Sequence, residues 1–115
     1  MSRFLLLAYE SPVAFTELSP EEAQSLLQRY IAWTERLRAG GHLLDSNKLK
    51  DGAGRAVRRE GSEVVVRDGP YAETKEVIGG YWLIETRDYD GAVALARDCP
   101  HVDYAHLVIR QIDEL

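Results

Sequence analysis

The sequence predicts an α+β domain of the split βαβ kind, and three features carry that prediction. Two apolar runs of strand length, Phe4–Tyr9 and Tyr81–Ile84, are apolar on both alternating faces, as strands covered from both sides are. Two stretches of helical periodicity stand between strands rather than beside each other. The resulting order is β-α-β-(hairpin)-β-α-β, which folds as an antiparallel sheet with its helices on one face.

Each element has its own warrant. Phe4–Tyr9 is the first strand, followed by a polar connection containing Pro12. Ser19 then serves as N-cap, Pro20 takes the first helical position, and Glu22 completes a capping box. Behind it Ala23, Leu26, Leu27, Tyr30, Ile31, Thr34 and Leu37 recur at spacings of three and four, which predicts one buried face of a helix of about 20 residues. Trp33 lies off that stripe and reads as a rim contact or a partly exposed residue. Gly40-Gly41 ends the helix with a left-handed C-cap.

His42–Lys50 is the second strand. Arg55–Arg59 and Glu63–Arg67 flank Glu60-Gly61-Ser62 as an exposed hairpin. Val77–Thr86 is a strong strand. Asp88 caps a second helix over Tyr89–Asp98, Pro100 follows its end, and Tyr104–Ile112 is the last strand. This is the ferredoxin-like pattern. Two helices cover one face only, yet the first, third and last core strands are apolar on both. A second copy is the economical cover, and two sheets packed face to face make a dimeric α+β barrel.

Bulk properties narrow the function classes. The 115 residues are a one-domain length, so residues 1–115 read as a single domain. A formal net charge of −5 argues against a nucleic-acid partner, because phosphate binding needs a concentrated positive field. Arg55, Arg58 and Arg59 are the only basic cluster, and Glu60 and Glu63 directly follow it. With Cys99 as the lone cysteine no intrachain disulfide forms, which fits a reducing compartment. The first apolar run is too short for a signal peptide or membrane span, so the expected location is the cytoplasm, with no membrane partner.

Asp68-Gly69-Pro70-Tyr71-Ala72-Glu73-Thr74-Lys75-Glu76, followed by Gly79-Gly80-Tyr81, resembles the signature of the YCII-related proteins known as the DGPF family. Phe is the usual residue where this chain has Tyr71. The opening Phe4–Tyr9-Glu10, the helix start Leu18-Ser19-Pro20-Glu21-Glu22 and the closing Val108-Ile109-Arg110 fit the same family. The resemblance implies the dimeric α+β barrel, bacterial origin, and a suspected small-molecule enzyme or ligand-binding role. Some relatives are linked to alternative sigma factors, which implies regulation. In narrower YCII-type relatives a histidine on the first helix is suspected of catalysis; here Tyr30 holds that position, so the role does not carry over.

Candidate site residues follow from side-chain chemistry and strand alternation. Asp68-Gly69-Pro70 is turn chemistry that sets strand register. If Tyr71–Glu76 is extended, Glu73 and Lys75 share a side and either pair with each other or present an acid and a cation to a polar ligand. In the last strand His106 and Arg110 point to the face opposite Leu107 and Ile109. There His106 can move protons and Arg110 can anchor a carboxylate, or the two simply bond across the interface. The third core strand is expected beside the first, with the last strand further off or across the dimer. Asp68 and His106 are the proton-transfer candidates; Tyr9, Glu73, Lys75, Tyr81 and Arg110 are the ligand-binding ones.

His42, after the helix-ending glycines, and His101, in a loop beside Pro100, read as exposed, and Cys99 as a small core residue. Histidine and cysteine spacings give no metal motif, so neither metal nor cofactor is expected. The expected function is therefore metal-independent acid–base chemistry on a small polar or anionic molecule at the dimer sheet interface. A non-catalytic ligand-binding or regulatory dimer is the alternative.

Overall fold

A computed structural model describes residues 1–52, 54–69 and 76–115. The elements are β1 (Ser2–Glu10), α1 (Pro20–Ala39), β2 (Leu43–Lys48), β3 (Arg55–Glu60), β4 (Glu63–Asp68), β5 (Val77–Thr86), α2 (Tyr89–Ala96), a 3-10 turn at Pro100–Asp103, and β6 (His106–Gln111). Four strands form one antiparallel sheet in the order β2-β5-β1-β6, the ferredoxin-like arrangement, while β3 and β4 form a separate two-stranded sheet among the described residues.

The local signals act as read. Ser19 Oγ accepts from Glu22 N at 3.1 Å while Glu22 Oε1 accepts from Ser19 N at 3.0 Å, closing the capping box. At the other end of α1, Gly40 is still right-handed and Gly41 takes the positive φ of 78°. His42 N then reaches back to Leu37 O at 2.9 Å, which satisfies a terminal carbonyl. Asp88 Oδ1 accepts from Gly91 N and starts α2.

Alternation along β1 and β5 divides the sheet cleanly. Phe4, Leu6 and Ala8, with Gly80, Trp82, Ile84 and Thr86, are buried under the helices. Leu5 and Leu7, paired with Leu83 and Tyr81, look the other way and are half-buried. Leu107 and Ile109 of β6 join the helix-side core; Val108 and Arg110, opposite Leu7 and Leu5, stand on the open face.

Two expectations about packing are corrected. The face of α1 that meets the sheet keeps Leu26, Tyr30, Thr34 and Leu37 of the expected stripe and adds Trp33, while Leu27 and Ile31 fall outside it. Trp33 is 2% exposed, whereas Leu27 and Ile31 are 47% and 53% exposed. The helix is rolled so that the Trp33 indole meets Trp82 edge-on at 5.0 Å and donates to Leu95 O at 3.2 Å. Burying the largest side chain together with its N–H partner outweighs the neater spacing of two aliphatics. Second, β6 lies directly beside β1 rather than further off or across a dimer, with Tyr9 opposite His106.

The molecule measures 48 × 45 × 18 Å with a radius of gyration of 16.1 Å, against about 13 Å for a compact domain of this length. It is a thin two-layer slab. The β3–β4 hairpin is an arm with Val57, Val64 and Val66 exposed on one face, and such a ribbon is marginal without cover. Among the described residues, no helix is long and apolar enough to cross a membrane.

Candidate functional site

Of the residues named from sequence, Tyr9, Tyr81, His106 and Arg110 share the open sheet face, as expected. The His106 ring stacks on Tyr9 at 5.6 Å and 7°, and its Nδ1 lies 3.2 Å from Glu76. Tyr81 Oη donates to Asp45 and accepts from Asn47 Nδ2. Asp68 ends β4 on the arm, where Arg55 approaches it at 3.5 Å across the ladder. Among the described residues, no hydrogen bond or ion pair joins Asp68 to His106. Glu73 and Lys75 lie outside the described residues.

A second constellation, on the helix side, was not legible in the sequence. Between α1, the connection from β1, and the β2–β5 end of the sheet is a cavity of about 600 Å³, within the usual range for small-molecule pockets. Leu26, Leu27 and Ile31 form its helix wall, Trp82 and Gly80 its floor, and Phe15 overhangs it. The roll of α1 creates this space: with Trp33 in the core, Leu27 and Ile31 are left facing the cavity. Phe15 holds a positive φ of 69°, a costly state for an aromatic residue that recurs at ligand clamps.

Glu10, Tyr30 and His101 converge at one end of this pocket. His101 read as an exposed loop residue, and that is corrected: it is 1% exposed. Pro100 opens the 3-10 turn, and Arg29 of α1 pairs with Asp103 at 2.6 Å, tying the turn to the helix. Tyr30 Oη lies 2.7 Å from His101 Nδ1, and His101 Nε2 lies 2.9 Å from Tyr9 O. A carbonyl only accepts, so Nε2 carries hydrogen, and Nδ1 of the neutral ring takes the Tyr30 O–H; the tautomer is assigned from these partners. Burial holds the Tyr30 phenol well above its ordinary range, with the Cys99 thiol and Glu10 adding to the shift.

Glu10 owes its position to a β-bulge. Ala8 pairs with Gly80 but Tyr9 with Ile78, leaving Gly79 as the extra residue. The Glu10 carboxyl lies over the bare Cα of Gly79, where a Cβ would overlap it. Partial burial raises the pKa of this carboxyl; His101 and Lys48 partly oppose the shift and Asp51 adds to it. Among the described residues, the Glu10 carboxyl makes no hydrogen bond or ion pair.

Two smaller findings complete the inventory. His42, also read as exposed, is half-buried, with Nδ1 donating to Glu85 O at 2.9 Å. Cys99 is buried as expected, and burial pushes its thiol up to about 12.

The chain matches the model of the YCII-related domain over residues 2–115. It is similar to an uncharacterised protein of Rhizobium meliloti (strain 1021), 30% identical over 96 residues that cover 83% of this chain and 77% of that protein. The chain belongs to the YCII-related domain family.

Proposed function

We propose that this protein is a small-molecule enzyme that works by acid–base chemistry in the pocket between α1 and the sheet. The observation that carries the reading is that Glu10, Tyr30 and His101 lie near one another in the lining of a largely apolar cavity, whose other charged residues are Glu35, Lys48, Lys50 and Asp51. A carboxyl with a raised pKa is a better proton acceptor than a surface one and is closer to its working pH. His101, oriented by the Tyr9 carbonyl, fixes the Tyr30 hydroxyl. The pair thus anchors a substrate atom beside Glu10, which transfers the proton. The proton carriers of this reading are the chain's own side chains.

The working form in this reading is a homodimer whose interface is the open sheet face. Its support is the half-buried row Leu5, Leu7, Tyr81, Leu83 and Val108, which no helix covers. Tyr9, His106 and Arg110 stand on that same face, so a dimer of this kind brings a second acid–base group, His106 with Glu76, to the junction.

A second reading, a non-catalytic binding or regulatory dimer, is favoured by one observation: the hydrogens of Tyr30 and His101 are already satisfied within the protein. Incubating the purified chain with a small-molecule fraction of a cell extract, followed by mass spectrometry, separates the two. Catalysis predicts compounds consumed by wild type, spared by Glu10→Gln, and neither bound nor consumed by Leu27→Trp, which fills the pocket. Compounds bound by wild type and never consumed select the binder. Binding indifferent to Leu27→Trp overturns the pocket itself.

A further inference from the structure

The donors around the Glu10 end of the pocket form a closed chain. Trp82 Nε1–H is given to Thr34 Oγ1 at 3.1 Å, and the Thr34 hydroxyl hydrogen to Tyr30 O at 2.8 Å. The Tyr30 hydroxyl hydrogen goes to His101 Nδ1, and His101 Nε2–H to Tyr9 O. Each hydrogen is committed to an acceptor inside the protein. What these groups leave for a ligand is lone pairs: those of the Tyr30 phenol oxygen and those of the Glu10 carboxylate, whose oxygens have no hydrogen-bond or ion-pair partner among the described residues. Lys48, at the rim, gives two of its three hydrogens to Asp51 Oδ1 and Leu49 O, and Lys50 also lines the pocket. The Ser46 hydroxyl, beside Trp82 in register, can serve as donor or acceptor.

A carboxylate held in a partly buried, apolar place is costly unless it is paired. An anionic head group beside Glu10 would meet that carboxylate, with only the Lys48 and Lys50 ammonium groups and the Ser46 hydroxyl of the lining to donate to it. A cation would meet a counter-charge and an accepting phenol oxygen, next to the Trp82 ring that stacks with Tyr30. The remaining walls, Leu26, Leu27, Ile31 and Phe15, suit an apolar body.

We propose that the pocket binds an organic amine with an apolar or aromatic body, its N–H groups held by the Glu10 carboxylate and the Tyr30 oxygen and its body lying along Trp82 and Leu27. The inference rests on the pocket being the functional site; where the sequence led to a small polar or anionic ligand, it takes a cationic one.

Three probes of matched shape test it: 2-phenylethylamine, 2-phenylethanol and 3-phenylpropionate. The readout is the ¹H–¹⁵N spectrum of the protein, following the Trp82 indole N–H and the Gly79 and Gly80 amides. The amine should move these signals and saturate at a concentration at least about tenfold below the alcohol or the acid, a gap the size of one charge-assisted hydrogen bond. In Glu10→Gln the amine should lose about that factor while the alcohol is unchanged. If the carboxylate binds there as tightly as the amine, or if Glu10→Gln leaves the amine unaffected, the amine assignment is overturned and the pocket stands. If none of the three probes moves those signals, the pocket reading falls with it.

Discussion

Tyr30 Oη and His101 Nδ1 meet at 2.7 Å, joining the middle of α1 to the turn that leads into β6. The contact spans 71 residues of sequence and closes one end of the pocket. Tyr30→Phe would leave Nδ1 of a fully buried imidazole without a donor. The expected cost is about 1–3 kcal/mol, or several degrees of melting temperature for a domain of this size. Nitrogen NMR of the wild-type ring should show hydrogen on Nε2 and a lone pair on Nδ1. An unchanged melting temperature together with the opposite tautomer would show that this contact does not order the site.

Trp33 and Ile31 test the roll of α1. Truncating the buried indole, Trp33→Ala, should cost about 3–5 kcal/mol and leave little of the stability of a small domain. Ile31→Ala, half exposed at the pocket wall, should cost under about 1 kcal/mol. Urea melts of the two variants would give the order, and a larger loss for Ile31→Ala would restore the packing that periodicity alone suggests.

These two residues also mark how far the sequence could be read. Signals that act within a few residues were legible: the capping box at Ser19, the caps at Gly41 and Asp88, the limits of β5, and the alternation that sends His106 and Arg110 to one face. The roll of α1 was not, because spacing finds an apolar stripe but does not weigh one indole against two aliphatics. The pocket was least legible of all. Glu10, Tyr30 and His101 come from three separate elements, and a histidine beside a proline looks like a loop residue until Arg29 pins the turn.

Glu10 makes the pocket's stability pH-dependent in a definite direction. Its pKa is raised on folding, chiefly by burial, with His101 and Lys48 opposing the shift and Asp51 adding to it. The folded state therefore holds the proton more tightly than the unfolded one. The contribution is fully favourable below the unfolded value and is lost as pH rises through the folded value. Glu10→Gln, which never ionises, should accordingly melt higher than wild type at pH 7.5, with the gap closing as pH falls below the ordinary carboxylate range. A variant that melts lower than wild type at pH 7.5 would mean that the carboxylate is stabilised by a partner.

Gly79→Ala probes the same carboxyl without touching it. A Cβ at this bulge position would overlap the end of the Glu10 side chain, which is flexible, while the backbone of Gly79 has no positive φ to lose. The fold should therefore survive, with a melting temperature close to wild type, while the carboxyl swings away and amine binding weakens by about tenfold. Titration of 2-phenylethylamine into the variant measures this directly. Unchanged binding in a folded protein would show that Glu10 holds its ligand from more than one side-chain position.

Leu7 sits at the centre of the open face, between Tyr81 on one side and Val108 on the other. The helices lie on the opposite side of the slab, which is only 18 Å thick, and the arm carries three further exposed valines. A monomer would keep this row half wet, and contiguous apolar patches of this kind mark interfaces. Light scattering at micromolar concentration should give twice the 13.0 kDa chain mass. Leu7→Glu, which sets a charge against its own copy across a two-fold axis, should give a monomer, because an unpaired charge in a buried interface costs several kcal/mol. Circular dichroism separates dissociation from unfolding, and Val108→Lys on the neighbouring strand provides an independent second variant. A folded wild-type protein that scatters as a monomer would remove the dimer from the proposed function and leave the α1 pocket, built within one chain, as the site.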